Sequence, residues 1–165
     1  MKNEIILGID PGTAVTGFGI IRITTQMTPI EFGCIRPPRS KLNSERYKII
    51  FEALCSLIDK HKPTACVVEK QYVDKNVQSA ITLGIARGMA ILAATLRGIP
   101  IFEYAPTRAK KAVSGTGRAS KDQVEAMVRR LLSLGQLKIA EDAADALALA
   151  ICHAHTAQSG RSRCV

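Results

Sequence analysis

The chain has 165 residues, 47% apolar and 22% charged, the size and make-up of one soluble globular domain with a full core. Its formal charge of +9 points to a polyanionic partner, nucleic acid ahead of an acidic membrane surface. Five cysteines show no C-x-x-C pairing and no regular spacing, which argues against a zinc site or a disulfide framework. No signal-peptide pattern precedes the first strand, so the expected setting is cytoplasmic and reducing.

Ile5-Ile6-Leu7-Gly8-Ile9-Asp10 reads as a strand buried on both faces. It ends in a carboxylate, and Pro11-Gly12-Thr13 then turns the backbone away and leaves that carboxylate facing open space. Gly17 to Ile23 is a second strand and Thr28 to Ile35 a third. The short links between them predict an antiparallel meander. A rigid basic connector, Arg36-Pro37-Pro38-Arg39-Ser40, leads to a helix over Glu45 to His61, capped by Asn43 or Ser44 and ended by Pro63. Ala65-Cys66-Val67-Val68-Glu69 is a second apolar strand that terminates in an acid.

A long helix follows from Val77 to Arg97, closed by Gly98 and Pro100. It holds no acidic residue and is apolar or small around most of its circumference, so it is expected to be buried on more than one side. Gln78, Ser79, Thr82 and Arg87 make it a poor membrane span. Ala80, Gly84 and Gly88 would admit another backbone closely, which suggests a homodimer contact. Ile101 to Tyr104 is a fifth strand. The tract from Pro106 to Arg130 is basic, carrying Arg108, Lys110, Lys111, Arg118, Lys121, Arg129 and Arg130 against Asp122 and Glu125. It reads as a short helix, a Gly-containing loop and a capped helix over Ser120 to Leu132. The last helix is placed at Glu141 to His155. Residues 1–155 thus form a single domain, and 156–165 a basic tail expected to be disordered.

The element order predicts an α/β domain with a mixed sheet flanked by helices. If the strands ending at Asp10 and Glu69 are neighbours, their tips lie about 5 Å apart. Asp142 and Asp145 are i and i+3 and share a helix face. Asp142 is well explained by the helix dipole alone, whereas Asp145 sits among small and apolar residues. Four carboxylates converging repel one another, and a divalent metal resolves that repulsion. Oxygen-only ligands suit Mg²⁺ or Mn²⁺, and two such ions about 4 Å apart stabilise both oxygens of a phosphodiester displacement. His153 and His155 read as surface or core residues, and Asp74 and Glu103 as solvated acids.

Leu7-Gly8-Ile9-Asp10-Pro11-Gly12, Val68-Glu69 and Asp142-Ala143-Ala144-Asp145-Ala146-Leu147-Ala148, in that order, resemble the RuvC family of Holliday-junction resolvases. The likeness continues through Gly33-Cys34-Ile35-Arg36, Ala86-Arg87-Gly88 and Phe102-Glu103-Tyr104-Ala105, and spans about residues 5 to 155. It implies a ribonuclease-H-like fold with a five-stranded mixed sheet, and metal-dependent resolution of four-way DNA junctions. Asp10, Glu69, Asp142 and Asp145 would be the catalytic, metal-binding acids, holding Mg²⁺, two per subunit, with Mn²⁺ able to substitute. Lys110 and Lys121 match lysines that contact DNA or support cleavage, with Lys121 a candidate for stabilising charge on the phosphate. Arg118 joins them as a DNA contact. Tyr72 falls where the family places a ring that stacks on an unpaired base. Tyr72 and Lys70 stand where Phe and Gln are frequent, which leaves the chemistry intact and bears on sequence preference. The resemblance further implies a homodimer making paired symmetric nicks with 5′-phosphate and 3′-hydroxyl ends, beside a branch-migration motor.

Three other readings fit less of the sequence. An actin-like or sugar-kinase ATPase would need a longer two-domain chain and a second glycine-rich phosphate turn. A ribonuclease-H-like nuclease acting on RNA would share the acids and differ in substrate. A non-catalytic nucleic-acid-binding module explains the charge and leaves Asp10, Glu69 and Asp145 without a purpose.

Overall fold

A computed structural model describes residues 3–70, 77–158 and 164. The strands are β1 (Glu4–Asp10), β2 (Thr16–Ile23), β3 (Met27–Ile35), β4 (Ala65–Glu69) and β5 (Ile101–Tyr104). The helices are α1 (Asn43–His61), α2 (Val77–Thr95), α3 (Pro106–Ser114), α4 (Lys121–Leu131) and α5 (Glu141–Gln158). The sheet runs β3-β2-β1-β4-β5. β1, β2 and β3 form the antiparallel meander, while β4 lies parallel to β1 and β5 parallel to β4. This is the mixed sheet expected from the sequence, with β1 at its centre.

Side-chain alternation along β1 divides the core in two. Leu7 and Ile9 face α1 and α2, in a cluster with Phe18, Ile20, Cys66, Val68, Ile50, Leu54 and Ala90. Ile6 faces the other way, with Ile21, Val67, Tyr104 and the buried sides of α3, α4 and α5. Asp10 shares the parity of Ile6, and Glu69 that of Val67. Both acids therefore emerge on the α5 side.

α5 lies unusually close to the sheet because glycine meets alanine there. A Cβ on Gly8 would collide with the Ala146 carbonyl oxygen, and one on Gly17 with that of Asp142. From the helix, Ala143, Ala144, Ala146, Ala148 and Ala150 are all buried. With no bulk on either surface, the first turns of α5 sit directly over the ends of β1 and β2. That close approach carries Asp142 and Asp145 to the strand tips.

Several boundaries differ from expectation for local reasons. α1 starts at Asn43, two residues before the expected Glu45: the Glu45 carboxylate accepts the Leu42 N–H at 3.0 Å, so the start is capped from the third helical position rather than by Asn43 or Ser44. α5 continues to Gln158, past the expected tail boundary. Thr156 is buried, its hydroxyl donating to the Cys152 carbonyl at 2.7 Å, and it belongs to the helix rather than to a disordered tail. Within that tail, Cys164 forms an antiparallel bridge with Phe102 of β5. Glu103 is not a solvated acid: it is largely buried on β5 and accepts from Arg87 of α2.

α2 is buried on one side only, against α1, β4 and β5, through Ala86, Ala90, Ala93 and Ala94. Its other side exposes Val77, Ile81, Ile85 and Leu92, and nothing lies within 4 Å of where a Cβ on Gly84 or Gly88 would stand. The expectation of burial on several sides is not met within a single copy of the chain.

Candidate active site at the strand ends

Ile9 pairs with Val68 in parallel register, so the next residues, Asp10 and Glu69, stand side by side at about the 4.8 Å strand spacing. The turn after Asp10 is held from several sides. The buried Thr16 hydroxyl donates to the Gly12 carbonyl at 2.6 Å. Arg46, from α1, donates its Nη2 to the Thr13 carbonyl at 2.8 Å. At Gly12 any Cβ would strike the Val15 carbonyl, so the tight turn demands glycine. Nothing in the sequence pattern singles out Arg46, whose partner lies 33 residues away.

Asp10, Glu69 and Asp145 line one cavity of about 280 Å³ together with Lys110 of α3 and Lys121 of α4. Pro106, Ala109, Val124, Ala148 and Leu149 complete its apolar wall. Asp142 faces a neighbouring, more open groove of about 520 Å³, formed by the Gly12–Val15 turn and the Gln78–Leu83 part of α2. The four acids thus border two adjoining hollows at one end of the sheet. Arg118 is exposed on the α3–α4 loop and lines neither of them. Tyr72 lies outside the described residues.

The electrostatics carry the signature of crowded acids. Asp10 is pushed up from its ordinary 3.8 to about 7, first by burial, then by the charges of Glu69, Asp145 and Asp142, with Lys121 opposing. Glu69 is raised by burial and by Asp145, against Lys110 and Lys121. Asp145 is raised by burial, with Lys121 and Lys110 pulling down and Asp142 pushing up. Burial is thus the main cause at all three acids, and the two lysines offset only part of the combined effect of burial and neighbouring charge.

Among the described residues no three His, Cys, Asp or Glu side chains close on a single point as a finished cage. Asp10, Glu69 and Asp145 line the cavity instead, with Asp142 in the adjoining groove. Their chemistry suits a hard divalent cation: every donor is a carboxylate oxygen, and the excess charge is the kind a dication removes. Mg²⁺ and Mn²⁺ both fit such a donor set.

His153 and His155 stand apart from this cavity. His153 is buried, shares a 2.8 Å hydrogen bond through Nδ1 with the Tyr104 hydroxyl and packs against the Phe102 ring at a 39° tilt, and burial lowers its pKa to about 4. His155 borders a separate hollow near the β2–β3 hairpin.

Comparison with known proteins accounts for this arrangement. Residues 6–153 match the family model described as crossover junction endodeoxyribonuclease RuvC. A protein of that name from Protochlamydia amoebophila is 62% identical over 156 residues, 93% of each chain. One from Chlamydia caviae is 50% identical, covering 93% of this chain and 94% of the relative. Among solved structures, Thermus thermophilus RuvC in complex with a Holliday junction substrate superposes with a TM-score of 0.92 at 29% identity, covering 98% of this chain and 99% of that one. The yeast mitochondrial Holliday junction resolvase Ydc2, at 14% identity and a TM-score of 0.64, shares the fold. A family model spanning nearly the whole chain and relatives this similar leave one assignment: the chain belongs to the RuvC family of crossover junction endodeoxyribonucleases.

Proposed function

We propose that the chain resolves four-way DNA junctions by hydrolysing one phosphodiester in each of two strands, with Asp10, Glu69, Asp142 and Asp145 as its metal-holding acids. The observation that carries this reading is the cavity at the strand ends, where three carboxylates and two lysines meet with negative charge in excess. A divalent cation bound there, Mg²⁺ in the first instance and two per subunit, supplies the positive charge that phosphodiester hydrolysis needs at the attacking and leaving oxygens.

The chain's own residues do the rest. β-sheet register sets the backbones of Asp10 and Glu69, and the close seating of α5 that of Asp145, so side-chain rotation alone is left to bring their oxygens onto a metal. Lys110 and Lys121 bring two cations to the same cavity, where they attract the scissile phosphate and stabilise charge that builds on it. Pro106, Val124 and Leu149 exclude part of the water from one wall and strengthen every charge interaction beside them. Arg118, exposed on the α3–α4 loop, would add a phosphate contact outside the cavity. Tyr72 supplies a ring for an unpaired base at the crossover. Hydrolysis leaves a 5′-phosphate and a 3′-hydroxyl.

The exposed apolar stripe of α2 supports a homodimer. Val77, Ile81, Ile85 and Leu92, with the open Gly84 and Gly88, form a surface that a second copy of α2 would cover. Two-fold pairing would place two cavities against two strands of like polarity. Work beside a branch-migration motor and residence in the cytoplasm follow from the same reading. The latter agrees with the free thiols of Cys34, Cys55, Cys66, Cys152 and Cys164.

The test is cleavage of a mobile four-way junction, a linear duplex of the same sequence and an RNA–DNA hybrid, with and without Mg²⁺. Paired, Mg²⁺-dependent nicks confined to the junction are expected. Preferential cutting of the hybrid would transfer the assignment to an RNA-directed nuclease, and junction binding without cleavage in any divalent metal would remove the catalytic assignment.

A further inference from the structure

A fifth acid lies at the site without a part in the reaction. Glu141 opens α5, immediately before Asp142, and its Oε1 accepts a hydrogen bond from Lys121 Nζ. Lys121 opens α4, whose first turn is fixed by a capping box: Gln123 N–H donates to the Ser120 hydroxyl at 3.2 Å, and Ser120 N–H to Gln123 Oε1 at 2.9 Å. Two helix N-termini thus face each other across the cavity rim, one offering the cation and the other the anion. Lys121 lines the cavity with Asp10, Glu69 and Asp145, and its charge favours the ionised form of all three. Its hydrogen bond nevertheless goes to Glu141.

We infer that Glu141 is a positioning residue that holds the Lys121 ammonium at the rim, off the carboxylates, and surrenders it to a DNA phosphate when the junction binds. The inference rests on the metal-and-phosphate reading of the cavity given above. Lys121 is a compact charge on a flexible stem. Released toward three carboxylates in excess charge, it would settle on the oxygens a divalent cation needs, and the two cations would compete. Glu141 prevents this by giving the ammonium an anion one step outside the ring. The side chains of both partners are more than half exposed, so the pair is weak enough to be exchanged for a phosphate oxygen.

The experiment is a double-mutant cycle on the full-length protein with E141Q, K121A and E141Q/K121A. Mn²⁺ binding is read by electron paramagnetic resonance, without DNA and without turnover. E141Q is expected to weaken Mn²⁺ binding by about 2- to 5-fold, the scale of an exposed ion pair. In the K121A background the same substitution should change it by less than about 1.5-fold, because Lys121 transmits the effect. Junction binding in a chelator gives a second readout. E141Q should bind about 2- to 5-fold more weakly, because Lys121 must leave the carboxylates before it reaches a phosphate, with the log K against log salt slope unchanged, since the number of phosphate contacts in the complex is the same. K121A should abolish that difference. E141D, which keeps the anion, should restore wild-type behaviour in both assays.

Equal weakening of Mn²⁺ binding in both backgrounds would show that Glu141 acts through its own field, and would overturn the inference. Unchanged Mn²⁺ binding and unchanged junction affinity in E141Q would overturn it as well. A wild-type protein that binds no Mn²⁺ at all would instead overturn the metal-site reading beneath it, which separates the two failures.

Discussion

Replacing Asp10 with Asn, at pH 8 and in the presence of a chelator, should stabilise the folded protein while abolishing cleavage when Mg²⁺ is restored. Asp10 holds its proton up to about pH 7 in the fold and to 3.8 when free. The folded chain therefore keeps a proton over a range in which the unfolded chain has released it. Stability falls as pH climbs from about 4 to 7, and the full cost is present at pH 8. At 1.36 kcal/mol per pKa unit, the rise amounts to about 4 kcal/mol. An Asn side chain in the same place bears the same dehydration as the protonated acid, so the net gain is about 4 kcal/mol. For a chain of this length that raises the melting temperature by about 8–16 °C. Calorimetry in a chelator at pH 8 and pH 3 checks this, since the gain should nearly vanish at the lower pH, below both the folded value of about 7 and the free value of 3.8. Excess Mg²⁺ should reverse the order, because wild type gains ligand stabilisation that the variant lacks. A metal-free variant that melts at or below wild type at pH 8 would refute the claim that the four acids share one uncompensated field.

Other expectations follow from single contacts. Lys110→Ala should weaken junction binding and lower the slope of log K against log salt by about 0.7–0.9, because one phosphate contact is lost; a salt titration of fluorescence anisotropy measures it. Ile85→Glu places a charge in the middle of the open stripe of α2 and should shift sedimentation from dimer to monomer, with little change in melting temperature because Ile85 is already exposed. Gly8→Ala drives a methyl group into the Ala146 carbonyl and should cost about 3 kcal/mol, read as a fall in the urea midpoint. His153 has a pKa of about 4 in the fold and 6.5 outside it, so the unfolded chain binds more protons between those values and wild type loses stability as pH falls through them. His153→Gln should flatten that acid limb by about 3 kcal/mol, seen in urea unfolding from pH 7.5 to pH 4.

What the sequence made legible and what it hid divide along a physical line. An acid at the tip of an apolar strand is conspicuous because burial forbids it without a purpose, and so Asp10 and Glu69 stood out, as did Asp145 amid alanines. Link lengths gave the antiparallel meander and the mixed character of the sheet, whereas the adjacency of β1 and β4 stood only as a condition until the fold supplied it. The residues that hold the site together gave no such sign. Arg46 acts on Thr13 and Arg87 on Glu103 through pairings that only the folded chain creates. Glu103 read as solvated because an isolated acid in a short strand carries no hint of an arginine from a helix 16 residues earlier.

The same distinction separates Glu141 from Asp142. In sequence both are acids in the first turn of a helix, and the dipole accounts for either. The rotation of about 100° between consecutive helical residues then sends them apart: Asp142 toward the groove beside the Gly12 turn, Glu141 outward to the head of α4. Which acid serves the reaction and which steadies the lysine is decided by where the capped end of α4 comes to rest. That placement depends on the buried contacts of Val124 and Val128 with α5, packing that carries no motif. The glycines made the opposite contribution. Gly8 and Gly17 read as ordinary strand residues, yet their missing side chains are what let α5 descend onto the sheet. The carboxylates announce the chemistry, but it is the absence of two methyl groups beneath them that brings the acids of α5 to those of β1 and β4.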